Sequence, residues 1–113
     1  MTPLATEIPE ERSFKGQKKA QEIAEATTRL FQKSKHELYS SRRGETNHAR
    51  LVAISLTRDL SGLKLSEIAL IFKMNSYKSV GTSCYRLKAR LAKEPTLKKQ
   101  YERLVHACSQ EEI

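Results

Sequence analysis

The sequence has no tryptophan, few prolines and only two cysteines among its 113 residues. Cys84 and Cys108 form no CxxC pair and the three histidines do not cluster, so we predict ordinary thiols and no metal or other cofactor. No apolar run approaches the roughly 20 residues that span a bilayer. The N-terminus also lacks the uninterrupted apolar core of a signal peptide. We therefore expect a cytoplasmic protein that does not contact membranes.

Acidic residues are also in short supply. The chain carries 21 Lys and Arg against 13 Asp and Glu, which gives a net charge of +8. Residues 40–104 hold fourteen of the basic side chains and only five of the acidic ones. A surplus of positive charge on one segment favours a polyanionic partner and predicts that this segment contacts it.

Length and composition predict one small domain. With 38% hydrophobic residues, the chain can bury a modest core. Residues 1–16 contain two of the three prolines and few large apolar side chains, so we predict a disordered lead-in there. A helical domain is expected over 17–108, followed by a short tail over 109–113.

Helical spacing of the apolar residues, without any strand pattern, predicts an all-α fold. Residues 35–45 lose this spacing and are interpreted as a basic loop. Gly62 is suited to ending one helix, and Pro95 separates the last two. The predicted helices cover 17–33, Thr46 or Asn47 to Ser61, Ser66 to Phe72, Asn75 or Ser76 to Glu94, and Pro95 to Ala107.

The short helix from Ser66 and the long basic helix after it are joined by a tight turn, as in a helix-turn-helix. One side of the long helix carries an apolar stripe, which consists of Val80, Cys84, Leu87 and Leu91. The opposite side carries hydrogen-bond donors and positive charge, namely Lys78, Thr82, Tyr85 and Arg86. Such a surface suits phosphate oxygens and the acceptor-rich guanine edge in the major groove of DNA.

A family resemblance is carried by the run HARLVAISLTRDLSGLKLSEIALIFKMNSYKSVGTSCYRLKARL. Residues 38–91 resemble the C-terminal DNA-binding domain of the bacterial replication initiator DnaA, whose fold is related to that of Trp repressor. The chain is also similar, over most of 17–104, to the helical tail of REP-associated, IS200-like tyrosine transposases. The positions that carry the initiator resemblance most clearly are Ala49-Arg50, Leu56 to Leu60, Leu65, Glu67-Ile68, Phe72 and Val80.

The resemblance implies a role for individual side chains. Arg42, in the basic loop with Arg43, matches a residue that the initiator places in the minor groove. Basic positions that contact the phosphate backbone are matched by Arg50, Arg58 and Arg86. The base-reading turn of the initiator, Arg-Asp-His-Thr-Thr-Val, corresponds here to Asn75, Ser76, Tyr77, Lys78, Ser79 and Val80. Because the Asp-His-Thr core is replaced, the resemblance implies the fold and DNA binding but a different target sequence.

Enzyme motifs are missing from the sequence. A DnaA-type ATPase needs a GxxxxGK[ST] loop, which is absent, so no nucleotide binding is expected. An IS200-like transposase needs a His-x-His pair, which His36, His48 and His106 do not provide. We therefore predict a non-enzymatic protein that binds double-stranded DNA in a sequence-specific manner. The alternatives are an accessory DNA-binding domain of a transposase and a basic helical module that binds another protein.

Overall fold

Six α-helices follow one another along residues 3–40 and 47–109, the part of the chain that the computed structural model describes. No strand occurs in these residues, so the predicted all-α class is confirmed for them. The helices are α1 (Pro3–Phe31), α2 (Lys35–Leu38), α3 (His48–Leu60), α4 (Leu65–Ile71), α5 (Lys78–Lys93) and α6 (Pro95–Ser109).

The central helix is α3, which is buried on all sides over residues 49–57. A helix can be buried all round only when other elements surround it. On one side it joins a core cluster built with α1, α2, α4 and α5, whose largest fully buried side chains include Phe72, Leu38 and Ile68. On the other side it packs with α1, α5 and α6 around Ile23, Leu56 and Leu87.

The first helix begins at Pro3, whereas the sequence predicted a disordered lead-in over 1–16 and a helix from Gln17. Proline is tolerated in the first turn, where its missing N–H has no intrahelical partner to lose. Gly16 is buried against Leu63, so this part of α1 has a packing site on the turn between α3 and α4. That contact lies far along the chain and is not visible in the local sequence pattern.

The segment predicted as a basic loop over 35–45 starts with the short helix α2. Ser34 and Glu37 cap it reciprocally: the Glu37 N–H donates to Ser34 Oγ at 3.1 Å, and the Ser34 N–H donates to Glu37 Oε1 at 2.9 Å. The backbone hydrogen bond from Ser34 lowers the pKa of the exposed Glu37 carboxyl. This capping box explains why four residues become helical in a polar stretch.

The limits of α3 agree with the prediction. Asn47 caps its start, because Asn47 Oδ1 accepts the Arg50 N–H at 3.0 Å. Gly62 follows its end with a φ of 77°, which is the left-handed conformation that favours glycine. The cap at Asn47 and the stop at Gly62 can both be predicted from residue type alone.

The limits of α4 differ from the prediction by one residue, and the start of α5 differs by two or three. Helix α4 starts at Leu65 instead of Ser66. Glu67 closes its first turn, because the Glu67 carboxylate accepts the Lys64 N–H at 2.9 Å. Helix α5 starts at Lys78, because Ser76 accepts the Lys78 N–H with its hydroxyl and the Ser79 N–H with its carbonyl. Residues 75 and 76 therefore belong to the turn. As predicted, α5 ends just before Pro95.

Candidate nucleic-acid interface

The polar side of α5 is exposed to solvent along its whole length. Val80, Cys84 and Leu87 are buried, which fixes the rotation of the helix against the core. The side chains predicted to lie opposite them are all exposed, namely Lys78, Thr82, Tyr85 and Arg86. The Thr82 hydroxyl donates to the Lys78 carbonyl at 3.2 Å. A hydroxyl that bonds its own helix in this way still has an oxygen that can accept a hydrogen bond.

The turn between α4 and α5 presents its side chains to solvent. Lys73 has a φ of 58°, a left-handed conformation that breaks the helix after Phe72. The Met74 N–H donates back to the Ala69 carbonyl at 2.8 Å and closes the end of α4. Three of the predicted base-reading residues, Asn75, Ser76 and Tyr77, follow and are exposed.

A groove of about 790 Å³ lies between the start of α3, this turn and one side of α5. Its lining includes four exposed or half-buried basic side chains, Lys73, Arg86, Arg90 and Lys93. It also includes the neutral polar residues Asn47, Asn75, Ser79 and Ser83, together with Tyr85. The groove therefore joins part of the predicted reading turn and Arg86 into one positively charged surface.

Glu94 is the single acidic residue in the lining of this groove. Its Oε2 lies 3.4 Å from Arg90 Nη1 and 3.8 Å from His48 Nε2. The second distance suits an ion pair with a protonated imidazole but is too long for a hydrogen bond, and His48 Nε2 is sealed from solvent without a hydrogen-bond partner. The carboxylate thus offsets positive charge only at the end of the groove where α5 stops.

Arg50, which the resemblance matches to a phosphate contact, is largely buried. Only 8% of the residue is exposed, and its guanidinium donates to the Leu38 carbonyl at 3.2 Å and the Phe72 carbonyl at 2.7 Å. Its Cζ also lies 5.8 Å from the centre of the Phe72 ring. Burial lowers the pKa of Arg50, although an arginine keeps its charge at physiological pH. Arg50 therefore joins the ends of α2 and α4, and it also lines the groove.

Arg58 is exposed on α3 and lies beside the Cys84 side chain. A hydrogen bond with that side chain raises the pKa of Arg58 above its usual value. Neither Arg58 nor Cys84 lines the groove, so Arg58 is not part of the basic surface that contains Arg86.

The remaining predicted residues, Arg42 and Arg43, lie outside the described residues. The residues that flank this segment are held together, because Asn47 Nδ2 lies 3.5 Å from the Ser40 carbonyl and 2.8 Å from the Glu37 carbonyl. Asn47 also lines the groove, so the described residue that follows the gap lies beside it.

Sequence reasoning missed Lys73, Arg90 and Lys93 as members of the basic surface. Arg90 follows Arg86 by four residues and Lys93 follows it by seven, which places all three on one side of a helix. The spacing of Arg90 and Lys93 could have been recognised in the sequence. The position of Lys73 could not, because only the left-handed turn brings it beside α5.

No known protein family, curated protein or solved structure that was compared with the chain matches it. Neither Cys84 nor Cys108 is in a disulfide, and both are buried. Within residues 3–40 and 47–109, no three His, Cys, Asp or Glu side chains come together in a way that would hold a metal ion. None of the described helices is long and apolar enough to cross a bilayer.

Proposed function

We propose that this protein binds double-stranded DNA, with α4 and α5 acting as a helix-turn-helix and α5 lying in the major groove. The observation that carries the proposal is the exposed side of α5, where basic and hydrogen-bonding side chains run from the turn to the last helical turn. An α-helix fits the major groove, and Lys and Arg on such a helix reach both phosphates and base edges. The relation to the DnaA and Trp repressor fold, inferred from the sequence, belongs to this proposal.

The proposed contacts divide into two kinds. Arg86 lines the groove and Arg58 is exposed outside it, and each is proposed to contact a phosphate. The other kind consists of residues placed at base edges, namely Asn75, Ser76, Tyr77, Lys78, Ser79 and Thr82. Phosphate contacts provide affinity on any duplex, and base contacts provide sequence preference. Arg50 is proposed to hold α4 in place and to make no contact with DNA.

The proposal is tested by measuring binding to a labelled duplex of random sequence over a range of salt concentrations. Neutralising several phosphates should give a log–log slope of about −0.9 per phosphate contacted. Arg86→Ala should weaken binding and make the slope shallower by roughly one unit. The matched control is Lys18→Ala, which removes an exposed charge from α1, a helix that does not pack against α5.

Selection of a preferred site from a random library then tests sequence specificity. The selected duplex should bind more tightly than a scrambled duplex of the same composition. No binding at low salt, or binding without a salt dependence, would exclude DNA as the partner.

One observation favours a different function, a helical module that binds another protein. Leu70 on α4 is 79% exposed, and Leu65 on the same helix is 37% exposed. A contiguous patch of exposed apolar side chains is typical of a contact with a protein, and these two leucines would be part of such a patch. Replacing Leu70 with Ser leaves DNA binding unchanged if DNA is the partner of α5, so the same titration separates the two functions.

A further inference from the structure

The glycine near the start of α5 has no structural explanation within the described chain. Gly81 is the fourth residue of the helix and is exposed. Apart from its chain neighbours and the backbone of its own helix, a Cβ atom placed there would have no described atom within 4 Å, whereas one at Gly16 would lie 2.6 Å from Leu63. Glycine is also among the least favourable residues in a helix interior, and alanine the most favourable. Packing and helix stability would therefore both accept a side chain at this position.

Two exposed tyrosines lie on either side of Gly81. Tyr77 is four residues before it and Tyr85 four residues after it, with exposed fractions of 53% and 75%. Four residues rise about 6 Å along a helix, so a bare stretch of backbone separates two aromatic side chains along one side of α5. Lys78, Thr82 and Lys88, which are also exposed, surround this stripe with donors and positive charge.

We infer that the stripe Tyr77–Gly81–Tyr85 is where DNA approaches α5 most closely, and that it contacts a thymine methyl group. This inference rests on the proposed function. Glycine is used where a ligand must come close to the backbone. The thymine methyl is the apolar group that base pairs present in the major groove, and an apolar contact with it is an established means of sequence readout. Two tyrosines and an uncovered Cα provide an apolar surface for it inside a basic one.

The inference is tested with Gly81→Ala and Gly81→Leu, which add one and four carbon atoms on the exposed side of α5. Both variants should melt at a higher temperature than the wild type, because the helix is strengthened. Gly81→Leu should nevertheless bind the selected duplex about tenfold more weakly, the usual effect of losing one base contact. The matched control is Ala107→Leu, which enlarges an exposed position on α6 and should leave binding unchanged.

The chemical identity of the contact is tested by replacing single thymines of the selected duplex with deoxyuridine, which lacks only the methyl group. The wild type should lose affinity at one position or at two neighbouring positions, and Gly81→Leu should be insensitive there. The inference is overturned if Gly81→Leu binds like the wild type, if no deoxyuridine substitution matters, or if the selected site contains no thymine. A wild type that binds no duplex overturns the proposed function as well, so the two failures are distinguishable.

Discussion

At the scale of single residues, Arg50 stabilises the fold, although its position in the sequence matches a residue that contacts a DNA phosphate in the initiator. Its guanidinium donates to carbonyls at the ends of two helices, which would otherwise be buried without a partner. Such carbonyls are costly, because each gives up its hydrogen bond to water on folding. An arginine suits this site because its planar group offers several donors in fixed directions.

Replacing Arg50 with Ala should lower the free energy of unfolding by about 2–4 kcal/mol, since it leaves two carbonyls unpaired. Urea denaturation measures this change. At a temperature where the variant is folded, its DNA binding should keep the salt slope of the wild type. A shallower slope with unchanged stability would instead identify Arg50 as a phosphate contact.

The exposed turn residues should affect sequence preference more than general affinity. Lys78→Ala and Tyr77→Ala remove side chains at the start of α5, where a base contact is worth about 1–3 kcal/mol of discrimination. Each variant should lose more affinity for the selected duplex than for the scrambled one, whereas Arg86→Ala should lose equally on both. Equal losses from the turn variants would show that the turn only contacts phosphates.

At the scale of elements, the start of α3 connects the fold to the proposed interface. Asn47 accepts the Arg50 N–H with one side-chain atom and donates to the Glu37 carbonyl with the other. The same side chain lines the groove beside α5. The end of α2, the start of α3 and the groove are therefore positioned by one residue.

Asn47→Ala should destabilise the protein by roughly 1–2 kcal/mol, because a helix start loses its cap and the contact with α2 is lost. Asn47→Asp should recover the part of the stability that comes from the cap, since its carboxylate can still accept the Arg50 N–H. Thermal or urea unfolding of both variants measures their stabilities. Asn75→Ala, in the exposed turn, is the control. If Asn47→Asp is as unstable as Asn47→Ala, the contact with Glu37 dominates and the cap contributes little.

At the scale of the whole molecule, α1 packs across α3 and α6 and leaves the exposed side of α5 uncovered. The close approach of α1 to the rest of the fold depends on Gly16, where a Cβ would lie 2.6 Å from Leu63 and 3.0 Å from the Ser61 carbonyl. The packing of α1 therefore leaves the exposed basic side of α5 accessible.

Gly16→Val should destabilise the fold by about 1–3 kcal/mol, because the added carbons overpack the contact with the buried Leu63. The double variant with Leu63→Ala tests the mechanism, since removing the leucine side chain should relieve part of the clash. Urea unfolding of the single and double variants gives the coupling between the two positions. Additive losses would mean that Gly16 and Leu63 do not compete for the same space.

The sequence by itself determined the features that depend on neighbouring residues. The all-α class, the cap at Asn47, the stop at Gly62 and the end of α5 before Pro95 follow from local backbone preferences. The rotation of α5 also follows, because its apolar stripe must face the core and its polar side must then face water.

Only the tertiary structure decided the features that depend on distant contacts. The packing of α1 against Leu63 at Gly16, the burial of Arg50 and the inclusion of Lys73 in the groove each require a partner from another part of the chain. An arginine is equally compatible with water, a phosphate or two buried carbonyls as far as its own sequence neighbours are concerned. The choice is made by which helices pack around it, because a buried donor is stable only where acceptors already lie within hydrogen-bond distance.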